Sequence, residues 1–499
     1  MYIRGIIIST VVMLRSIRNA LHRKRNCELR HGNIKRFFGQ PAAQTHPHLL
    51  QEGEVTPGIS RAEFCYRRQR LMEAIWKTKL HRKSVANHIA LFPSACKSYM
   101  THDIPYPFRQ NTDFLYLSGF QEPDSLLMLH SIPGKSSNSF KSVLFVPKRD
   151  PDKELWDGPR SGVEGAVDLT GVDEAYNIHE LEHYLQCYCR DTDSFAVWYD
   201  YIRPCHNDLH NRVLAQFLTQ NRHTAMETTN QLVQALRLIK SPAEVALMKR
   251  SCEIASEAFQ SVMQFSCPGV NESQLYAKVD FECRMRSAEF LAYPPVIAGG
   301  DRANIIHYIN NNQIIHAGEL VLMDAGCELH GYSSDITRTW PVSGQFSAVQ
   351  RLLYEAVLAV QESCIQQCTT QNSLDDIFFH MLDKLGHQLK TIGLIPQNSN
   401  KDSRLRAARQ FCPHHLGHYL GMDVHDTAGI SRQTKLQPGM VVTVEPGIYI
   451  PASTTTVPAE FRGIGIRIED DVLITDSGQT VLTEKCPKHP DDVEAMVRS

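Results

Sequence analysis

Five short segments in the second half of the chain place acids and histidines where they could hold metal ions. The apolar run ending in Met323 delivers Asp324 beside Gly326. After Gly331 the chain returns through Asp335, Thr337 and Thr339, whose strand-like alternation puts all three on one face. A hairpin would bring Asp324 and Asp335 together, and two like charges in one site are costly unless one is protonated or a cation lies between them. Either aspartate alone reads as a turn cap, because Asp is common beside glycine. The third segment, Pro413 to Asp426, holds His414, His415, His418 and His425. His414 and His418 stand at i, i+4, but position 415 is His rather than Glu, so the HExxH motif of zinc proteases is absent. The last two are Val441-Val-Thr-Val-Glu445-Pro-Gly447 and Gly463-Ile-Gly-Ile-Arg467-Ile-Glu469-Asp-Asp471. In the latter, alternation predicts one strand with Arg467, Glu469 and Asp471 on one face. Taken alone, Glu469 could face solvent from an edge strand; if buried, it must be paired or bound to a cation.

Together Asp324, Asp335, Glu445, Glu469 and one histidine form a hard ligand set, suited to Mn²⁺ and tolerant of Co²⁺, Zn²⁺ or Fe²⁺. Five protein ligands exceed the need of one catalytic ion, which keeps open positions. They suit two ions about 3.5–4 Å apart that share bridging carboxylates.

Elements must position these residues. Ser241-Pro242-Ala243-Glu244 combines an N-cap serine, proline at the first helical position and a capping-box glutamate. Behind it Val245, Met248, Cys252, Ala255, Phe259 and Val262 recur on one helical face. A domain is expected over 241–499. Before it, a helix over 61–79 and strands near 142–147 and 194–199 predict an α/β domain over 61–240. Residues 38–60 hold Gly39, Pro41, Pro47, Gly53, Pro57 and Gly58 and read as an extended linker. The stretches 397–403 and 451–459 read as surface loops.

The chain has 499 residues, 42% hydrophobic and 21% charged, with a formal net charge of −2. Such a chain is globular, needs no metal to fold and has no overall basic field for nucleic acid. The longest largely apolar run, Ile6–Leu14, is far shorter than the roughly 20 residues of a membrane span. The 14 cysteines show no paired CxxC motifs and read mostly as reduced, buried apolar residues. Residues 1–37 are Arg-rich, with one acid, Glu28, and read as a mitochondrial targeting leader. A secretory signal fits less well, because no small-x-small site follows and the arginines come after the apolar stretch.

The segments "MDAGCELHGYSSDITRTWPV", "HHLGHYLGMDVHD", "VEPGIY" and "GIRIEDDVLIT" resemble the pita-bread metallopeptidases, in particular their aminopeptidase P branch. "DIPYPFRQNTDFLYLSGFQEPDS" and "FVPKRDPDKELWDGPRSG" extend the likeness from about residue 38 to the end. The resemblance implies a creatinase-like α/β N-terminal domain followed by a pita-bread domain of two related αβ halves. It implies Asp335 and Glu469 bridging two metals, Asp324 on one, and His418 and Glu445 on the other. His307, His414 and His425 match its active-site histidines. Arg467 matches an arginine behind the bridging carboxylate, and Tyr449 a tyrosine lining the site. The expected activity is removal of the N-terminal residue from peptides with proline second, by a dimetal-bridging hydroxide. Glu445 would shuttle the proton, His425 and His414 would support the oxyanion, and His307 would place the substrate. Asp423 receives no role, so Asp423→Asn is expected to matter little. A homodimer is expected from family habit. A prolidase-type dipeptidase and a non-catalytic binder on the same fold are the rivals.

Overall fold

The computed structural model describes residues 38–78, 87–135, 139–192 and 194–499, and the predicted leader lies outside them. Helix α1 (Arg61–Lys77) starts where Ser60 Oγ accepts the Glu63 N–H. Six strands follow: β1 (Asn87–Pro93), then, after helix α2 (Thr112–Ser118), β2 (Leu126–Ser131), β3 (Phe140–Val146), β4 (Glu174–Asn177), β5 (Phe195–Trp198) and β6 (Ala225–Glu227). They form one sheet in the order β4-β3-β2-β1-β5-β6, with only β2 antiparallel to its neighbours. Strands β1 to β3 are almost continuously buried, as expected of a sheet covered on both faces. Leu71, Met72 and Ile75 of α1 pack on one face with Ala90, Leu127 and Leu129. Leu181, Leu185, Leu209 and Phe217 cover Ile89, Leu91 and Met128 on the other.

Residues 38–60 are not an extended tether. Glu54–Thr56 pairs with Ile59–Ser60, and Val55 and Ile59 are buried against Phe64 and Leu247. Pro57 and Gly58 mark the turn of that hairpin, and its apolar residues dock it.

Helix α3 (Asn230–Leu238) leads into α4 (Pro242–Phe265). Its capping box closes as predicted: Ser241 Oγ accepts the Glu244 N–H at 3.3 Å and Glu244 Oε2 accepts the Ser241 N–H at 2.9 Å. Helix α5 (Glu272–Met285) precedes an antiparallel sheet, β7 (Val296–Gly299), β8 (Leu320–Ala325) and β9 (Ile336–Pro341), in the order β7-β8-β9. The pattern then recurs. Helices α6 (Ala348–Gln366), α7 (Leu374–Thr391) and α8 (Lys401–Phe411) precede β10 (Val441–Val444), β11 (Gly447–Ile450), β12 (Ile464–Arg467), β13 (Asp470–Thr475) and β14 (Gly478–Val481). The sheet order is β10-β13-β14, with β11-β12 a separate ribbon. Helix α9 (Pro490–Arg498) ends the chain.

Three expectations change. The predicted strand through Arg467, Glu469 and Asp471 is broken: β12 stops at Arg467 and β13 starts at Asp470. At the break the Glu469 N–H donates to the Thr337 carbonyl, so the backbone crosses from the β11 ribbon to the β10 sheet. The stretch 397–403 is only partly loop, because Asn400 Oδ1 caps α8 by accepting the Ser403 N–H. All described cysteines are free, but Cys65, Cys96, Cys205 and Cys267 are exposed rather than buried.

Candidate metal centre

The four predicted carboxylate ligands sit at or beside strand ends, and His418 comes from an irregular segment that crosses β10. Asp324 is the next-to-last residue of β8, and Asp335 immediately precedes β9. The β8–β9 register pairs Asp324 with Thr337, so both aspartates lie at the same end of the hairpin. Gly326 is required there, since a Cβ would run into the Ser334 carbonyl oxygen. His418 is held by backbone pairing with Thr443, whose N–H donates to the His418 carbonyl at 2.9 Å while Thr443 Oγ1 accepts the His418 N–H. A Cβ on Gly417 would strike the Thr443 carbonyl, so glycine lets this segment approach β10. Glu445 follows β10, with its N–H on the Leu416 carbonyl.

Oxygen or nitrogen atoms of Asp335, His418 and Glu469 lie within 4.8 Å of one another. Glu469 is 1% exposed, which excludes the solvent-facing edge-strand alternative. Tyr293 O–H reaches both Asp324 Oδ1, at 2.6 Å, and Asp335 Oδ1. Thr337 donates to Glu469 Oε2 at 2.6 Å, and Arg467 Nη2 to Asp324 Oδ2 at 2.5 Å.

The donor set calls for cations. His418 Nδ1–H is committed to the Tyr419 carbonyl, so the neutral ring turns a lone pair on Nε2 toward Asp335 Oδ2 at 3.4 Å and Glu445 Oε1 at 3.7 Å. Tyr293 has one proton for two carboxylate oxygens. Acceptors facing acceptors are repulsive unless a proton or a metal ion stands between them. Without a metal, protons take that place. Burial and the neighbouring acids push Glu445 up to about 7 and Glu469 well above the usual carboxylate range. Burial and Asp335 also raise Asp324 against the pull of Arg467. For His418, burial opposes protonation, but Asp335 and Glu445 outweigh it and raise the ring to about 9. The residues therefore fit a divalent centre, whose ligands must shed these protons to bind.

The other predicted residues fall into two groups. His414 Nδ1–H donates to the His415 carbonyl at 2.8 Å, and its Nε2 accepts from Tyr449 O–H at 2.9 Å. Tyr449 in turn accepts from Arg467 Nη1 at 2.9 Å. Burial and Arg467 lower His414 to about 4, so it stays neutral and has no donor left for an oxyanion. His425 differs. Its ring packs edge-on to His418, 4.4 Å between centroids, and it has no hydrogen-bond partner among the described residues. Burial and His418 lower its pKa. His307 lies exposed on the loop after β7, close enough to disfavour protonation of His414 and His425.

Sequence reasoning missed Tyr293, which sits in "LAYPPVI" with no spacing signal. It also misplaced Asp471. Because of the strand break, Asp471 turns behind Asp335, accepting the Asp335 N–H at 2.9 Å and the Cys252 thiol at 3.2 Å. Asp423, expected to have no role, is tied to Arg237, Arg109 and Thr112.

Residues 246–476 match metallopeptidase family M24, and residues 64–198 match the aminopeptidase P N-terminal domain. The chain is 51% identical over 464 residues to Xaa-Pro aminopeptidase 3 of Rattus norvegicus, covering 92% of this chain and 90% of that one. It is 39% identical to the mitochondrial intermediate cleaving peptidase 55 of Arabidopsis thaliana, covering 93% and 88%. Among solved structures, proline aminopeptidase P II from Yersinia pestis superposes with a TM-score of 0.80 at 34% identity, covering 88% of this chain and 99% of that one. With relatives this similar along nearly the whole chain, the protein belongs to metallopeptidase family M24, on its aminopeptidase P branch.

Proposed function

We propose that the protein is a metal-dependent Xaa-Pro aminopeptidase, removing the first residue of peptides whose second residue is proline. The observation that carries this reading is the convergence of Asp335, His418 and Glu469 at the end of the Asp324 hairpin. It stands in a chain whose relatives bear that activity in their names. Asp324, Asp335, His418, Glu445 and Glu469 would hold two divalent ions, with Mn²⁺ favoured by the oxygen-rich set. Such ions, when bound, supply Lewis acidity and acidify a water to near-neutral pKa.

The chain's own residues do the rest. Glu445, deprotonated once the ions are held, takes a proton from the attacking water and passes it to the departing prolyl nitrogen, which carries no hydrogen of its own. His425, whose ring nitrogens have no hydrogen-bond partner among the described residues, donates to the scissile carbonyl oxygen as its charge develops. The Arg467–Tyr449–His414 chain fixes Tyr449 and His414 as a rigid wall, and His307 receives the substrate's N-terminal end from the rim.

The division into residues 61–240 and 241–499, a mitochondrial address read from residues 1–37, and a homodimer belong to the same proposal. The Arabidopsis relative's printed name supports the address. Leu155 and Trp156, 82% and 88% exposed, support a surface covered by a second copy.

A prolidase would grip the product-side carboxylate and stop at dipeptides. Manganese-loaded enzyme should therefore cleave Arg-Pro-Pro and leave Gly-Pro largely intact. Preferential cleavage of Gly-Pro would assign the dipeptidase reading instead.

A further inference from the structure

His425 lies in a stretch without regular structure, between Leu420 and Thr427, yet the reading above asks it to meet a developing oxyanion. His418, seven residues earlier, is fixed by backbone pairing with Thr443. The segment around His425 has such a tie in the Asp426 N–H on the Tyr419 carbonyl at 2.9 Å, and side chains hold it further. Asp423 and Asp426, which flank it, both turn to one guanidinium: Arg237 Nη2 donates to Asp423 Oδ2 at 2.6 Å and to Asp426 Oδ1. Arg237 is 5% exposed, and its Nη1 donates to Asp113 of α2 at 2.6 Å, so its own position is set by the N-terminal half. Arg109 braces the outer side, donating to the Met422 carbonyl at 2.8 Å and to Asp423 Oδ1 at 3.2 Å. Thr112 O–H reaches Asp423 Oδ1 at 2.7 Å, and Lys240 Nζ reaches Asp426 Oδ2 at 3.2 Å.

We propose that Arg237 is a positioning residue for the hydrolysis, acting through Asp423 and Asp426 to fix where the His425 ring stands. The guanidinium of this clamp is planar: Nη2 holds both flanks of His425 while Nη1 holds Asp113 on α2, a geometry a lysine cannot reproduce. It leaves His418 alone, because Thr443 holds that residue independently. Losing the clamp should thus misplace the oxyanion donor without emptying the metal centre. An error of about 1 Å in such a group costs up to about 100-fold in rate.

The proposal rests on the Xaa-Pro aminopeptidase reading, and a double-mutant cycle on the full-length, manganese-loaded enzyme tests it. Arg237→Met should lower kcat on Arg-Pro-Pro by about 10–100-fold, with KM and bound manganese little changed. In the His425→Ala background the same substitution should cost less than twofold more, because its effect passes through that ring. Equal fractional losses in both backgrounds, or manganese lost together with activity, would mark a general structural role and overturn the proposal. If Arg237→Met does not fold, Asp423→Asn enters the same cycle. That side chain is half-exposed, and its loss should lower kcat while sparing KM and metal. Unchanged kcat in that variant contradicts the clamp. If the parent enzyme leaves Arg-Pro-Pro intact, it is the functional reading that fails. The clamp is then judged by crystallography of Arg237→Met (or Asp423→Asn), where a displaced His425 ring supports it and an unmoved ring overturns it.

Discussion

At the scale of single residues, the centre is defined by a conflict between charges. Burial and mutual repulsion raise Glu445, Glu469 and Asp324 above the usual carboxylate range, and His418 to about 9. All of these groups bind metal only in their deprotonated form, so loading should release protons and weaken as pH falls through neutrality. Calorimetric titration of Mn²⁺ in two buffers of different ionisation enthalpy should give different heats; identical heats would deny the release. Glu445→Gln should cut turnover by about 10²–10⁴-fold, the range of a lost general acid or base, while some metal stays bound. Asp335→Asn should lose both metal and turnover, as elemental analysis beside a peptide assay would show. The ligands were legible because Asp324 and Glu445 end apolar strands near a glycine or proline, Asp335 and Glu469 stand in strand-like runs, and His418 belongs to a cluster of four histidines. Tyr293 and the commitments of His414 were not. Both depend on which atom meets which across the cavity, and no local spacing encodes that.

At the scale of elements, two glycines let the ligand-bearing strands close. Gly326 admits the Ser334 carbonyl behind the aspartate hairpin, and Gly417 admits the Thr443 carbonyl behind His418. An added methyl at either position forces backbone apart, at a cost of about 1–3 kcal/mol. Gly417→Ala should therefore melt several degrees lower and bind less manganese, and a thermal melt with metal analysis checks both. Helix α4 was predictable to its first residue because its cap, proline and glutamate are adjacent in sequence. The break between β12 and β13 was not read, although Asp470 stands where alternation from Ile466 and Ile468 calls for an apolar residue. What interrupts the strand is Thr337 on β9, which takes the Glu469 N–H and draws the backbone across. That crossing separates Glu469, which faces Asp335 and His418, from Asp471, which supports Asp335 from behind.

At the scale of the whole molecule, the two halves share a core. Phe114, Tyr116 and Leu117 of α2 pack in one cluster with Tyr332, Leu420, Met422 and Val441 of the metal-binding half. Unfolding should accordingly be a single calorimetric transition that manganese raises as a unit. Phe114→Ala should lower that transition by about 3–5 kcal/mol of stability rather than split it. Two separate transitions would show that the halves fold independently. Composition and periodicity disclosed two α/β regions but not their contact, which is carried by residues more than two hundred positions apart. The claim on which all of this depends is that the buried acids are there to hold a pair of divalent ions for hydrolysis. It is tested most directly by titrating metal-free enzyme with Mn²⁺ while following both bound metal and cleavage of Arg-Pro-Pro. Turnover should be absent without metal, rise as manganese binds and level off at two ions per chain. Full turnover in the metal-free enzyme, or none after two ions have bound, would contradict the account.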